Sequence, residues 1–173
     1  AFSASRLTDK NNLIDTIKAI KLVQNKGLNL GLVIAGTGHL HLQLESLIRQ
    51  LNLTDKVVLL GHVDHKQVLS LTKIADVAVR VSTQEGFGIF LLEALALKTP
   101  VVTSQSGGLA DFISDTNAYI PKSTHAKDIA TQLILVLTKP SATKLQMGYN
   151  LVKSTYTWET ILPKCYSKLY KLQ

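Results

Sequence analysis

With 173 residues, the chain is long enough for one domain with a substantial core and too short for two of ordinary size. Its hydrophobic content of 46%, with charges spread rather than blocked, excludes a disordered chain, and no apolar run reaches the roughly 18 residues of a membrane span. The net charge of +7 favours phosphate-bearing ligands, anionic membrane surfaces or nucleic acid as partners, in no order that charge alone can set.

"AFSAS" (1–5) reads as a strand, so the chain is expected to start in mid-protein, and no signal peptide is visible. "NNLIDTIKAIKLVQN" follows with apolar residues at helical spacing. Gly27 is placed as a C-cap would be, and Lys26 suits the negative end of that helix. "LNLGLVIAG" (28–36) is the second strand, "LHLQLESLIRQLN" the second helix and "KVVLLG" (56–61) the third strand. "ADVAVRVS", "TPVVTS" and "NAYIP" complete the candidate strands, and "IFLLEALAL" (89–97) reads as a helix between the first two of these. Beyond them the pattern is helical: "AKDIATQLILVLT", "ATKLQMGYNLVKS" and "WETILPKCYSKLYKL", with Pro163 expected to kink the last or start it afresh. Strands apolar on both faces, separated by helices, predict an α/β domain with a doubly wound parallel sheet. One domain over 1–173 is expected, with a C-terminal helical segment at about 141–173.

In such a sheet, ligands gather at the carboxyl ends of the strands. The loops there run from Ser5 to Asn11, Gly36 to Leu40, Gly61 to His65, Ser82 to Gly88 and Ser104 to Leu109. In "EGFGIFLLE" (85–93), Gly86 and Gly88 let the backbone bend ahead of a helix. The bend either simply joins strand to helix or lines an anion site with the amides of Gly88, Ile89 and Phe90. Gly107 and Gly108 could widen the same pocket. An ionised carboxylate repels phosphate but suits paired hydroxyls, so Glu85 and Glu93 on either side of an anion site fit a ligand with hydroxyls at both ends of a phosphate bridge. A nucleotide sugar has that order. Glu93 alone could equally be a solvated residue. Arg6 and Lys10, from the first loop, would neutralise a diphosphate and a leaving group; as a merely solvated pair they would oppose the helix dipole.

Other signals are weaker. "AGTGHL" has two glycines of a dinucleotide fingerprint but lacks the third and the later acid. His39, His41, His62 and His65 are expected at the surface, with no metal-ligand spacing. The one cysteine, Cys165, cannot form an internal disulfide, so nothing indicates an oxidising compartment; it is expected to be a packing residue. Sparse aromatics argue against nucleic acid. Lys18, Lys21, Lys164, Lys168 and Lys171 are compatible with peripheral membrane contact, a solvated face being the plainer account.

Together these stretches resemble the C-terminal, donor-binding domain of retaining glycosyltransferases of the large GT4 family, which have the GT-B fold of two Rossmann-like domains. The resemblance is carried in order by "SRLTDKNN", "LVIAGTGHLHLQLESL", "KVVLLGHV", "ADVAVRVSTQEGFGIFLLEALALKTPVVTSQSGGLADFI" with its E-x7-E pattern, and "YTWETILPKCYSKLY". Four departures stand out: a first loop one residue short, "VRVS" where a proline is commoner, Asp111 for a glutamate and Lys98 for a glycine.

The resemblance implies that Arg6 and Lys10 hold the diphosphate, that Glu85 contacts donor-sugar hydroxyls and that Glu93 contacts the ribose. Gly86, Phe87, Gly88, Ile89 and Phe90 would supply main-chain donors, and His62 or Val63 would lie beside the base. It implies transfer of a sugar from a UDP-, GDP- or ADP-sugar with retention, needing no metal or other cofactor. The acceptor, a glycan, lipid or small molecule, would bind a separate N-terminal domain that is not in this chain, so the fragment alone is expected to transfer sugar poorly. The expected location is the cytoplasm, including the inner face of a membrane. A nucleotide-sugar epimerase of the same architecture and a non-catalytic nucleotide-binding module are the alternatives.

Overall fold

When a strand is covered on both faces, its residues alternate between two apolar layers instead of between core and water. That alternation organises the chain. A computed structural model describes residues 1–170, apart from the side chains of 164 and 166–170. Strands β1 (Phe2–Ala4), β2 (Leu32–Ala35), β3 (Val57–Gly61), β4 (Ala78–Arg80) and β5 (Val101–Thr103) form one parallel sheet in the order β3-β2-β1-β4-β5. Helices α1 (Leu13–Gln24), α2 (His41–Gln50), α3 (His65–Ile74), α4 (Ile89–Ala96), α5 (Ala126–Thr138), α6 (Ala142–Thr155) and α7 (Trp158–Tyr170) surround it.

Leu32, Ile34, Val77, Val79 and Val102 face one layer, where they meet Ile17 and Ile20 of α1, Leu44 of α2 and Leu133 of α5. Phe2, Ala35, Ala78 and Val101 face the other, against Phe90, Leu91 and Leu95 of α4 and the half-buried Leu71 of α3 and Leu151 of α6. The doubly wound sheet expected from the strand pattern is thus the fold observed. α4 starts at Gly88 with no side-chain cap. A missing cap costs about 1 kcal/mol, whereas burying one leucine such as Leu91 contributes about 1.5–3 kcal/mol, so packing decides where this helix forms. Among the described residues, its N-terminal amides are left without hydrogen-bond partners.

Several expectations need correction. "NAYIP" contributes only a single bridge, Tyr119 to Val102, because its neighbours turn away into polar loops. Helix α7 runs through Pro163 without restarting. Cys165 is exposed, on a helix where Leu162 and Pro163 are exposed too, so it does not serve packing. α3 was not singled out from the sequence, although Asp64 and Gln67 form a reciprocal capping box at its start. Helix α6 packs closely on α4: a Cβ on Gly148 would meet Leu95 Cδ2 at 2.6 Å. Gly27 has φ +79 just past α1, as a helix-ending glycine should. Among the described residues, no helix is long and apolar enough to cross a membrane. Lys18 is exposed and Lys21 half-buried, while the side chains of Lys164, Lys168 and Lys171 lie outside the described residues.

Candidate functional site

The chain runs outward from β1 to β2 and β3, then returns to place β4 on β1's other side. The carboxyl ends of β1 and β4 therefore flank a switch in winding direction, where an open α/β sheet leaves a crevice. The loops following these two strands carry Arg6, Lys10 and the Glu85–Gly88 turn. They are tied directly: the Thr83 amide donates to the Lys10 carbonyl at 2.8 Å, and Thr83 Oγ1 to the same oxygen at 3.3 Å.

Glu85 is largely shielded, with 11% of its side chain exposed. Oε2 lies 2.7 Å from Arg80 Nε, whose proton is not aligned on it, so the contact is ionic more than a directed hydrogen bond. Ser82 Oγ donates to Oε2 at 3.2 Å, and the Gly86 amide donates to Oε1 at 3.2 Å. Burial pushes the Arg80 guanidinium down from its usual range, with the charge of Glu85 pulling it back up. Losing either member of so shielded a pair would strand the other charge, at about 3–5 kcal/mol for fully buried pairs and less for this partly wet one.

The glycine pair after β5, read from the sequence as able to widen the pocket, has another use. It lets two backbones touch. A Cβ on Gly107, whose φ is +59, would sit 1.9 Å from the Glu85 carbonyl oxygen, and one on Gly108 2.1 Å from that of Gly86. Gly88 takes φ +78 as the N-cap of α4. Among the described residues, the amides of Gly88, Ile89 and Phe90 make no hydrogen bond within the protein. Phe90 is buried edge-on to Phe2 at 5.8 Å, and Phe87, partly exposed, rests against Phe112 and Tyr156. Ile89 is exposed.

On the other side, Arg6, His62 and Val63 line one cleft of about 400 Å³ with Ser5, Gly36 and Thr37. Arg6 and Lys10 are exposed, and among the described residues neither pairs with a carboxylate. The first glycines of "AGTG" also serve backbone contact: a Cβ on Gly36 would meet the Ser5 carbonyl oxygen at 1.9 Å. Glu93 belongs to this ring of loops through His65, whose Nε2 lies 2.5 Å from Glu93 Oε1. His65 follows directly on the loop that holds His62 and Val63, so it is a surface residue as expected, yet an engaged one.

Sequence reasoning missed Arg80, Asn11 and Ser82. The signal for Arg80 was present: a charged residue closing an otherwise apolar strand must find a partner. Asn11 is buried and links loops, its Nδ2 donating to the Arg6 carbonyl at 2.6 Å and its Oδ1 accepting from Arg80 Nη2 at 3.4 Å. Among the described residues, no group of acidic, histidine or cysteine side chains is arranged to hold a metal ion.

Comparison with known proteins identifies the family and the fold. A family model described as glycosyl transferases group 1 matches residues 1–153. An uncharacterized glycosyltransferase of Methanocaldococcus jannaschii is 44% identical over 108 residues, 62% of this chain and 27% of that protein. A glycogen synthase of Mycobacterium tuberculosis is 30% identical over 161 residues, 90% of this chain and 38% of that protein. The chain thus spans well under half the length of these relatives. In solved structures, the C-terminal domain of a glycosyl transferase group 1 family protein from Francisella tularensis matches with TM-score 0.81 at 24% identity, over 91% of this chain and 86% of that one. A pneumococcal O-GlcNAc transferase in complex with UDP and GlcNAc matches with TM-score 0.85 at 22% identity, over 98% of this chain and 35% of the transferase. At these identities the two structures attest the fold.

Proposed function

The chain belongs to the glycosyl transferases group 1, and from that premise we propose that it is the donor-binding half of a retaining glycosyltransferase of GT-B fold. The observation that carries this reading is the open amide end of α4, standing between Glu85 and Glu93 at the sheet's switch in winding direction. A diphosphate accepts from those amides and from Arg6 and Lys10, while the two carboxylates accept hydroxyl protons, Glu85 from the sugar and Glu93 from the ribose. The base occupies the cleft lined by Arg6, His62 and Val63. UDP- and sugar-bound neighbours of this fold support a nucleotide sugar as the ligand class.

In the intact protein, a hydroxyl oxygen of the acceptor bonds to the anomeric carbon as the bond from that carbon to the diphosphate breaks. Attack comes from the face the diphosphate leaves, so configuration is retained. The departing phosphate oxygen takes the acceptor's proton, and Arg6 and Lys10 stabilise the negative charge that builds on it. The acceptor binds an N-terminal domain outside this chain, and the isolated donor half transfers little sugar.

Calorimetric titration with uridine, guanosine and adenosine diphosphates tests the reading. Arg6→Ala is expected to weaken the diphosphate that binds by more than about 1 kcal/mol, the value of a hydrogen bond to a charged group, and to affect the bare nucleoside little. Equal losses for both, or no binding of any diphosphate, would overturn it.

A further inference from the structure

We propose that Arg80 is a positioning residue for sugar recognition: its guanidinium ties the end of β1 to the loop after β4, fixes which oxygen of Glu85 meets the donor sugar, and couples that oxygen to the loop bearing Arg6. The inference rests on the reading of Glu85 as a contact to sugar hydroxyls.

Three directions of one planar group are engaged. Nη1 donates to the Ala4 carbonyl at the end of β1, at 3.0 Å. Nη2 donates to Asn11 Oδ1 at 3.4 Å, and Nε lies 2.7 Å from Glu85 Oε2. From below, the Arg80 carbonyl accepts from Thr103 Oγ1 of β5 at 2.7 Å. Asn11 extends the chain of contacts, donating to the Arg6 carbonyl at 2.6 Å and to Thr8 Oγ1 at 3.2 Å. A rigid fork can hold such a set, whereas an ammonium group on a flexible stem cannot.

The fork also sorts the two oxygens of Glu85. Oε2 faces Arg80 and accepts from Ser82 Oγ, while among the described residues Oε1 accepts only from the adjacent Gly86 amide. A carboxylate oxygen offers about two lone-pair sites, so Oε1 keeps acceptor capacity for a ligand hydroxyl. With the Arg80 side chain only 15% exposed and its guanidinium turned to protein acceptors, a direct phosphate role for Arg80 is disfavoured. A phosphate ligand and a positioning group differ in what their removal weakens.

The full chain is titrated with uridine, guanosine and adenosine diphosphates and with the glucose conjugate of each. The ratio of the two Kd values for the tightest-binding base defines the sugar's gain in affinity. Arg80→Met is expected to cut that gain about fivefold, one hydrogen bond's worth, with the diphosphate itself weakened less than about threefold. Glu85→Gln should cut it alike, and the double variant should lose no more than either single one, since the two act as one unit. Arg80→Lys keeps the charge without the fork and is expected to lose the gain as well. If Arg80→Met does not fold, a folded Arg80→Lys with the gain intact overturns the proposal. So does an Arg80→Met that keeps the gain lost in Glu85→Gln, or one that weakens diphosphate and sugar conjugate equally. No sugar gain in the unsubstituted chain, or no effect of Glu85→Gln, removes the Glu85 reading itself and the inference with it.

Discussion

The loops after β1 and β2, on one side of the crevice, and those after β4 and β5, on the other, are joined by the same device and finished differently. On both sides a glycine lets neighbouring backbones touch: Gly36 against the Ser5 carbonyl, Gly107 against that of Glu85. Above this shared base, the side chains diverge. Arg6 and Lys10 stand exposed, whereas Glu85 is held by Arg80, Ser82 and the Gly86 amide. Desolvation explains the contrast. A cation left in water costs nothing to leave unpaired, while a carboxylate sunk between loops must be partnered where it stands. One side keeps its charges free in water; the other has its charge already partnered.

The largest expected effect strikes the shared device. Gly107→Ala should lower stability by at least about 2 kcal/mol, from left-handed strain and collision with the Glu85 carbonyl, as read from the urea midpoint. Gly36→Ala, with φ +139 and the Ser5 oxygen equally close, should cost a similar amount. A much smaller loss on one side would break the symmetry between them. Next in size is Glu93→Gln, expected to reduce the preference for ribo- over deoxyribonucleotides by about 1 kcal/mol. An unchanged preference in competition titrations would leave Glu93 with only His65 as its role. The smallest effect on stability belongs to Gly86, where a Cβ would meet open space. Gly86→Ala should change unfolding free energy by less than about 0.5 kcal/mol while weakening nucleotide-sugar binding, which would separate a glycine kept for ligand approach from those kept for packing.

The order of strands and helices was legible because apolar periodicity is a local property. Val77, Ala78 and Val79 announce a strand covered on both faces without reference to anything distant. The loops bearing Arg6 and Glu85, and the start of the helix bearing Glu93, followed from that order, since parallel winding puts every strand's carboxyl end on one edge. What could not be read depends on partners far along the chain. Whether Gly107 widens a pocket or closes a gap is decided by the Glu85 backbone opposite it. Phe87 sits in a polar-looking turn, but Phe112 and Tyr156 give its ring a seat. Arg80 looked like a departure from a commoner pattern in "VRVS", and its meaning needed Ala4, Asn11 and Glu85 in space. α3 fell between these cases: its capping box was visible, but few of its residues are buried, so its apolar face is faint.

The central place of β1 bears on how the chain folds. β1, β2 and β3 are sequential neighbours and can pair as they collapse, but β4 must return across 76 residues to meet β1. Joining points so distant carries a large chain-entropy cost before any contact rewards it, so this pairing belongs to the slow, late part of folding. The contact of Arg80 with Ala4 is made in that same event. A partly folded intermediate would therefore own a respectable half-sheet and no crevice, and nucleotide added during refolding should accelerate nothing until the final docking is under way.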